Sequence, residues 1–176
     1  MKKELFILFF LINFFFFNLA LGQSISLSPA SLEKKPNNTF SLTLNVSSVT
    51  NLFGVAFDLN FNPSLIDFLN ATEGNFLNQG CQTSLMTAEN PPGKLIFGYT
   101  RLGSSCGGVS GSGTLAILNF QTLNQTGTAS LTFSNNKLCL LQNQDCNFVL
   151  GNWTGANINI ILDNTPPSPP KNLVVR

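Results

Sequence analysis

From Ser24 onward apolar and polar residues alternate with period two, the signature of strands that lay one face on a core. Phe40–Val46 alternates cleanly. In Leu52–Phe61, Phe53, Val55, Phe57, Leu59 and Phe61 fall on one side and Gly54, Ala56, Asp58 and Asn60 on the other. Ile25–Ser28, Leu65–Thr72, Gln82–Ala88, Leu95–Leu102, Thr114–Thr122, Ala129–Phe133 and Ala156–Leu162 are further predicted strands. Turn-forming clusters separate them, among them Lys35-Pro36-Asn37-Asn38, Asn62-Pro63, Glu89–Gly93 and Asn124–Gly127. No stretch carries an amphipathic helical period. Many short strands about ten residues apart predict an all-β sandwich.

Both ends depart from this pattern. Met1–Glu4 opens with two lysines, Leu5–Phe17 is almost wholly apolar, and Ala20 and Gly22 are small, as in a secretory signal peptide over residues 1–22. An uncleaved anchor is the alternative, since about 18 residues come close to spanning a bilayer. Residues 1–22 hold seven of the 17 Phe, two of the nine basic and one of the eight acidic residues, so the remaining chain has zero net charge. After the predicted domain over 23–162, residues 163–170 form a Pro-rich spacer, stiff and extended. Residues 171–176 resemble the opening strand of a fibronectin type III module.

Composition then excludes. Only 10% of residues are charged and there is no His. Neutrality argues against nucleic acid, whose phosphates call for a basic stripe, and the lack of His removes the usual general base and metal ligand. The remaining acids, Glu33, Asp58, Asp67, Glu73, Glu89, Asp145 and Asp163, show no spacing that suggests a glycosidase pair. The Gly/Ser-rich segment 103–113 lacks the Lys-Ser/Thr of a phosphate loop and reads as a flexible loop. No catalytic residue, metal or cofactor is expected.

Four cysteines in an exported chain predict two disulfides. A hairpin turning at Asn90–Gly93 brings Cys81 and Cys106 to one end of the fold, and a smaller hairpin over 142–145 pairs Cys139 with Cys146. Zinc is the rival ligand, without a Cys-x-x-Cys pair to hold it. Asn-x-Ser/Thr occurs at Asn37, Asn45, Asn70, Asn124 and Asn152, and 23 Asn make several such sites expected by chance. The single Trp, Trp153, either stacks on a sugar ring from an exposed position or caps the core.

Residues 25–162 resemble a cohesin domain. The resemblance is carried by Ser26-Leu27-Ser28-Pro29, by Val46–Leu65 within NVSSVTNLFGVAFDLNFNPSL, by Thr72–Leu77 (TEGNFL), by Gly93–Gly103 (GKLIFGYTRLG) and by Gly111–Phe120 (GSGTLAILNF). It implies a nine-stranded jelly-roll sandwich, related to some carbohydrate-binding modules, that docks a dockerin-like partner. The resemblance implies that this partner is a calcium-stabilised helical module, so the calcium would belong to the dockerin. It further implies a binding face that includes the third and sixth strands, with Gly54, Ala56, Asp58 and Asn60 on the one and Tyr99 and Arg101 on the other. Gly54 and Ala56 stand where well-known cohesins carry polar residues, so recognition there would rest on close approach. The alternative for Tyr99 is a place in the core. Polysaccharide binding, with Trp153 as its contact, and a structural spacer in a surface protein are the competing functions.

Overall fold

The computed structural model describes residues 22–162. The leader expected over 1–22 (Gly22 apart), the Pro-rich spacer and the residues after it lie outside the described residues.

The described chain is all strand and turn. Its eleven segments are β1 (Ser24–Ser28), β2 (Ser31–Lys34), β3 (Thr39–Asn60), β4 (Ile66–Glu73), β5 (Thr83–Glu89), β6 (Lys94–Arg101), β7 (Val109–Thr122), β8 (Gly127–Gln142), β9 (Asp145–Val149), β10 (Asn152–Thr154) and β11 (Ala156–Ile160). They form a jelly-roll sandwich. Strands β2, β9 and β10 lie outside the expected runs, β2 and β10 because they are only four and three residues long and β9 because nearly all of it is exposed on both sides, and the runs expected separately around 40–46 and 52–61 are one continuous strand.

That strand organises the fold. Residues 39–47 of β3 pair with β7 and β1 in the back sheet, ordered β4-β7-β3-β1-β10. Residues 52–60 pair with β6 and β8 in the front sheet, ordered β5-β6-β3-β8, with β9 and β11 sharing the far side of β8 and β2 beyond β11. Between the two stretches Ser48 and Asn51 take positive φ (56° and 55°), and the pairing to β7 shifts register twice. Such bulges bend a strand, here from one layer to the other.

The core fills the space between the layers. Leu42, Leu44 and Val46 point into it from the back sheet and Val55, Phe57 and Leu59 from the front, all nearly inaccessible. Phe57 stacks on Phe97 (4.5 Å between centroids) and meets the edge of Phe133 (5.0 Å). Phe53, expected beside them, is only half-buried because it sits at the rim of the front face. Both expected disulfides form, Cys81–Cys106 and Cys139–Cys146, with Cα separations of 6.1 and 5.2 Å. All four cysteines are thereby used, and none is left for zinc.

Candidate functional site: a hollow on the front sheet

Cross-strand register lays out the outer face of the front sheet in rows. One row runs Ser84, Thr100, Gly54, Cys139, Phe148 across β5, β6, β3, β8 and β9, and the next runs Met86, Gly98, Ala56, Lys137. A third holds Ala88, Ile96, Asp58 and Ser134. The first two rows are low in the middle and high at the ends. Gly54, Ala56 and Gly98 raise little or nothing above the backbone, whereas Met86 and Phe148 are 69% and 63% exposed on opposite rims. A β-carbon added to Gly98 would meet no atom within 4 Å. The result is a largely apolar trough of about 700 Å³.

Disulfides hold both walls. Cys106 ties the Gly103–Gly107 loop to Cys81 just ahead of β5, and Cys139–Cys146 clips the β8–β9 hairpin that presents Phe148. Lys137 brings a cation to the trough and lies 5.8 Å from the centre of the Phe148 ring.

Four of the six residues expected on the binding face are there, in two different states. Gly54 and Ala56 form the trough floor. Asp58 and Asn60 lie further along the same face, but their polar atoms are occupied. Asp58 Oδ2 takes an ion pair from Lys94 (2.7 Å) and a hydrogen bond from Asn135 Nδ2 (2.6 Å), and the side chain is buried. The register shift between β3 and β8 at this point, with Asn135 at φ 53°, turns Asn135 onto that carboxylate. The hydrogen bond from Lys94 holds the Asp58 carboxyl below its ordinary range; burial opposes this, and Asn135 adds to it. Asn60 Nδ2 donates to Ser134 Oγ (2.8 Å) and the Thr132 carbonyl.

Tyr99 and Arg101 are not on this face. Side chains alternate along β6, so they share the inward side with Leu95 and Phe97 and are 1% and 5% exposed. The Tyr99 hydroxyl lies within hydrogen-bonding reach of Glu73 Oε2 (3.4 Å) and the Gly74 carbonyl (3.3 Å). Burial is the main cause holding the phenol above its ordinary pKa, and the Glu73 carboxylate pushes the same way. Arg101 donates to the carbonyls of Leu77 and Gln79 and so clamps the β4–β5 connection from beneath. These two are structural residues. The face positions of β6 are instead Ile96, Gly98 and Thr100, which the same period-two pattern marks.

Trp153 is likewise no open sugar platform. It is half-buried against Phe57 and Phe133, with ring centroids 5.6 and 5.1 Å away, and its Nε1 donates to the Leu150 carbonyl. Nothing in the sequence marks Met86 and Phe148, since only the β5–β6 and β8–β9 pairings bring them to the trough.

Residues 25–144 match the family model described as the cohesin domain. Solved structures of low identity share the fold. The seventh ScaB type I cohesin from Pseudobacteroides cellulosolvens is 12% identical, covering 85% of this chain and 97% of its own, with a TM-score of 0.69. The sixth cohesin of scaffoldin B from Acetivibrio cellulolyticus, in complex with a mutant Cel5 dockerin, is 17% identical over 80% of this chain and 99% of its own, with a TM-score of 0.67. A non-cellulosomal cohesin from the hyperthermophilic archaeon Archaeoglobus fulgidus is 14% identical over 81% and 93%, with a TM-score of 0.62. No curated protein matches the sequence.

Proposed function

This chain belongs to the cohesin domain family, and on that premise we propose that it is a secreted, non-catalytic docking module that receives a dockerin-type partner on the outer face of its front sheet. The observation that carries the reading is the trough. Gly54, Ala56 and Gly98 lower its floor, while Met86 and Phe148 raise its rims. Relatives of the same fold are described in complexes with dockerins.

The residues suggest how such docking works. A helix laid along a sheet is kept away by side chains beneath it; glycine and alanine let its backbone and one protruding side chain come close. The partner's apolar knob would lose water against the trough floor, and the aromatic Phe148 would anchor one side. Met86, unbranched and adaptable, would close the other. Recognition by burial replaces recognition by side-chain hydrogen bonds, since Gly54 and Ala56 offer none and Asp58 and Asn60 already have partners within the chain. Export fits the apolar leader and the two disulfides.

Calorimetric titration of the chain from Gln23 onward against dockerins encoded by the same genome, with calcium and with chelator, tests this reading. Saturable, calcium-dependent binding that Gly98→Leu weakens at least tenfold is expected. Binding that Gly98→Leu leaves unchanged would remove the trough from the interface, and retention on insoluble polysaccharide with no dockerin bound would replace the function.

A further inference from the structure

The five Asn-x-Ser/Thr tripeptides are unevenly placed on the folded chain. None lies on β5, β6, residues 52–60 of β3, β8 or β9, the strands that build the trough, although these carry Asn60, Asn135, Asn136 and Asn147. Asn37 is in the β2–β3 turn, Asn70 on β4, Asn124 in the β7–β8 connection and Asn152 on β10. Each is exposed, and so is the hydroxyl residue two positions on: Thr39, Thr72, Thr126 and Thr154. Residues i and i+2 of a strand point to the same side, so Asn70 and Thr72 present the whole recognition element to solvent. Asn45 differs. It is half-buried in mid-strand with β1 on one side and β7 on the other, whereas Asn70, whose Oδ1 like that of Asn45 accepts a cross-strand hydrogen bond, is exposed on β4. The two disulfides call for an oxidising compartment, where asparagine glycosylation of exported chains also takes place.

We propose that Asn37, Asn70, Asn124 and Asn152 are N-glycosylation sites, the first three on elements that do not line the trough and Asn152 beside its Phe148 wall. In the transfer, the side-chain amide nitrogen of each Asn attacks the anomeric carbon of a lipid-linked oligosaccharide. The C–N bond forms as the C–O bond to the lipid phosphate breaks; the amide gives up one proton and the lipid phosphate leaves with the bonding pair. Hydrated sugars at Asn37, Asn70 and Asn124 would oppose association through the surfaces around them and leave the trough floor open to a partner, and a sugar at Asn152 would stand beside the Phe148 wall.

Intact-mass measurement and glycopeptide sequencing of the protein recovered from its native host test this, alongside Thr72→Ala and Thr126→Ala variants made in that host. These substitutions remove a recognition element and keep the asparagine. Sugar on the four sites, none on the Asn45 peptide, and loss of one glycan's mass in each threonine variant would support the proposal. A bare polypeptide mass, sugar on Asn45, or an unchanged glycan mass in both threonine variants would overturn it.

Discussion

The two outer faces of the sandwich are built from the same strand, β3, and solve the problem of exposure in opposite ways. On the back sheet, rows of amides and hydroxyls bond to one another across strands: Ser41 Oγ donates to Asn119 Oδ1 (2.6 Å), Asn119 Nδ2 to Asn70 Oδ1 (2.8 Å), and Thr114 Oγ1 to Asn45 Oδ1. On the front sheet the corresponding rows are glycine and alanine at the centre and methionine and phenylalanine at the edges, and their apolar surface lies open to water. A face whose polar groups satisfy each other gains little from a partner. A hollow apolar face gains whatever area a partner covers, at roughly 25 cal/mol per Å² before the costs of association. The difference teaches where to look for docking on a sheet protein of low charge: at the side chains that are missing.

The contrast within β6 is sharper still, and its inward half gives the largest expected effect. Tyr99→Ala should lower unfolding free energy by about 3–5 kcal/mol, as for other large buried rings, measured by urea denaturation. Were Tyr99 a docking residue, stability would hold and affinity alone would fall.

The trough walls come next. Replacing Cys81 and Cys106 together by Ser should cost roughly 3 kcal/mol and the Cys139–Cys146 pair roughly 2 kcal/mol, because the first closes a longer loop (25 residues apart against seven). The second pair should nonetheless weaken docking more, since it fixes the hairpin that carries Phe148. Equal effects on docking from both would show that the hairpin wall does not matter.

Gly98→Leu should cost docking at least tenfold, or about 1.4 kcal/mol, with the stability change within about 0.5 kcal/mol, because its side chain enters open space. Asn119→Ala on the back face should do the reverse: stability falls by about 1 kcal/mol and docking is unmoved. If the two variants behaved alike, the distinction between the faces would fail.

The smallest effect is that of pH. The folded Asp58 carboxyl titrates below its unfolded value of about 3.9, so its contribution is complete above that value and is lost as pH falls through the folded pKa. Asp58→Asn should therefore flatten the acid limb of the stability curve below about pH 4, read by thermal unfolding across that range, and leave neutral docking unchanged.

Much of this architecture is readable along the chain, because period two reports which side of a strand is buried before anything is known of its neighbours. The sides of Val55–Leu59 follow from it, and the turn residues at Asn90–Gly93, by placing a hairpin, add the Cys81–Cys106 pairing. The same rule applied to Leu95–Arg101 separates Gly98 and Thr100 from Tyr99 and Arg101, and there the family's general picture of the face, which set Tyr99 and Arg101 on it, gives way to the local pattern. Trp153 is ambiguous for a different reason: a three-residue strand is too short to show a period.

What the sequence by itself determined is the alternation, hence an all-β sandwich with an inner and an outer side, together with the loops that disulfides close. What only the tertiary structure decided is which outer residues become neighbours. Met86, Gly98, Ala56 and Lys137 are far apart in the chain and form one row only once β3 has bent from the back sheet into the front and three pairings have fixed their registers. Burial is a local property of a strand's period, but a concave face is a property of several strands in register, and register depends on contacts distant in sequence.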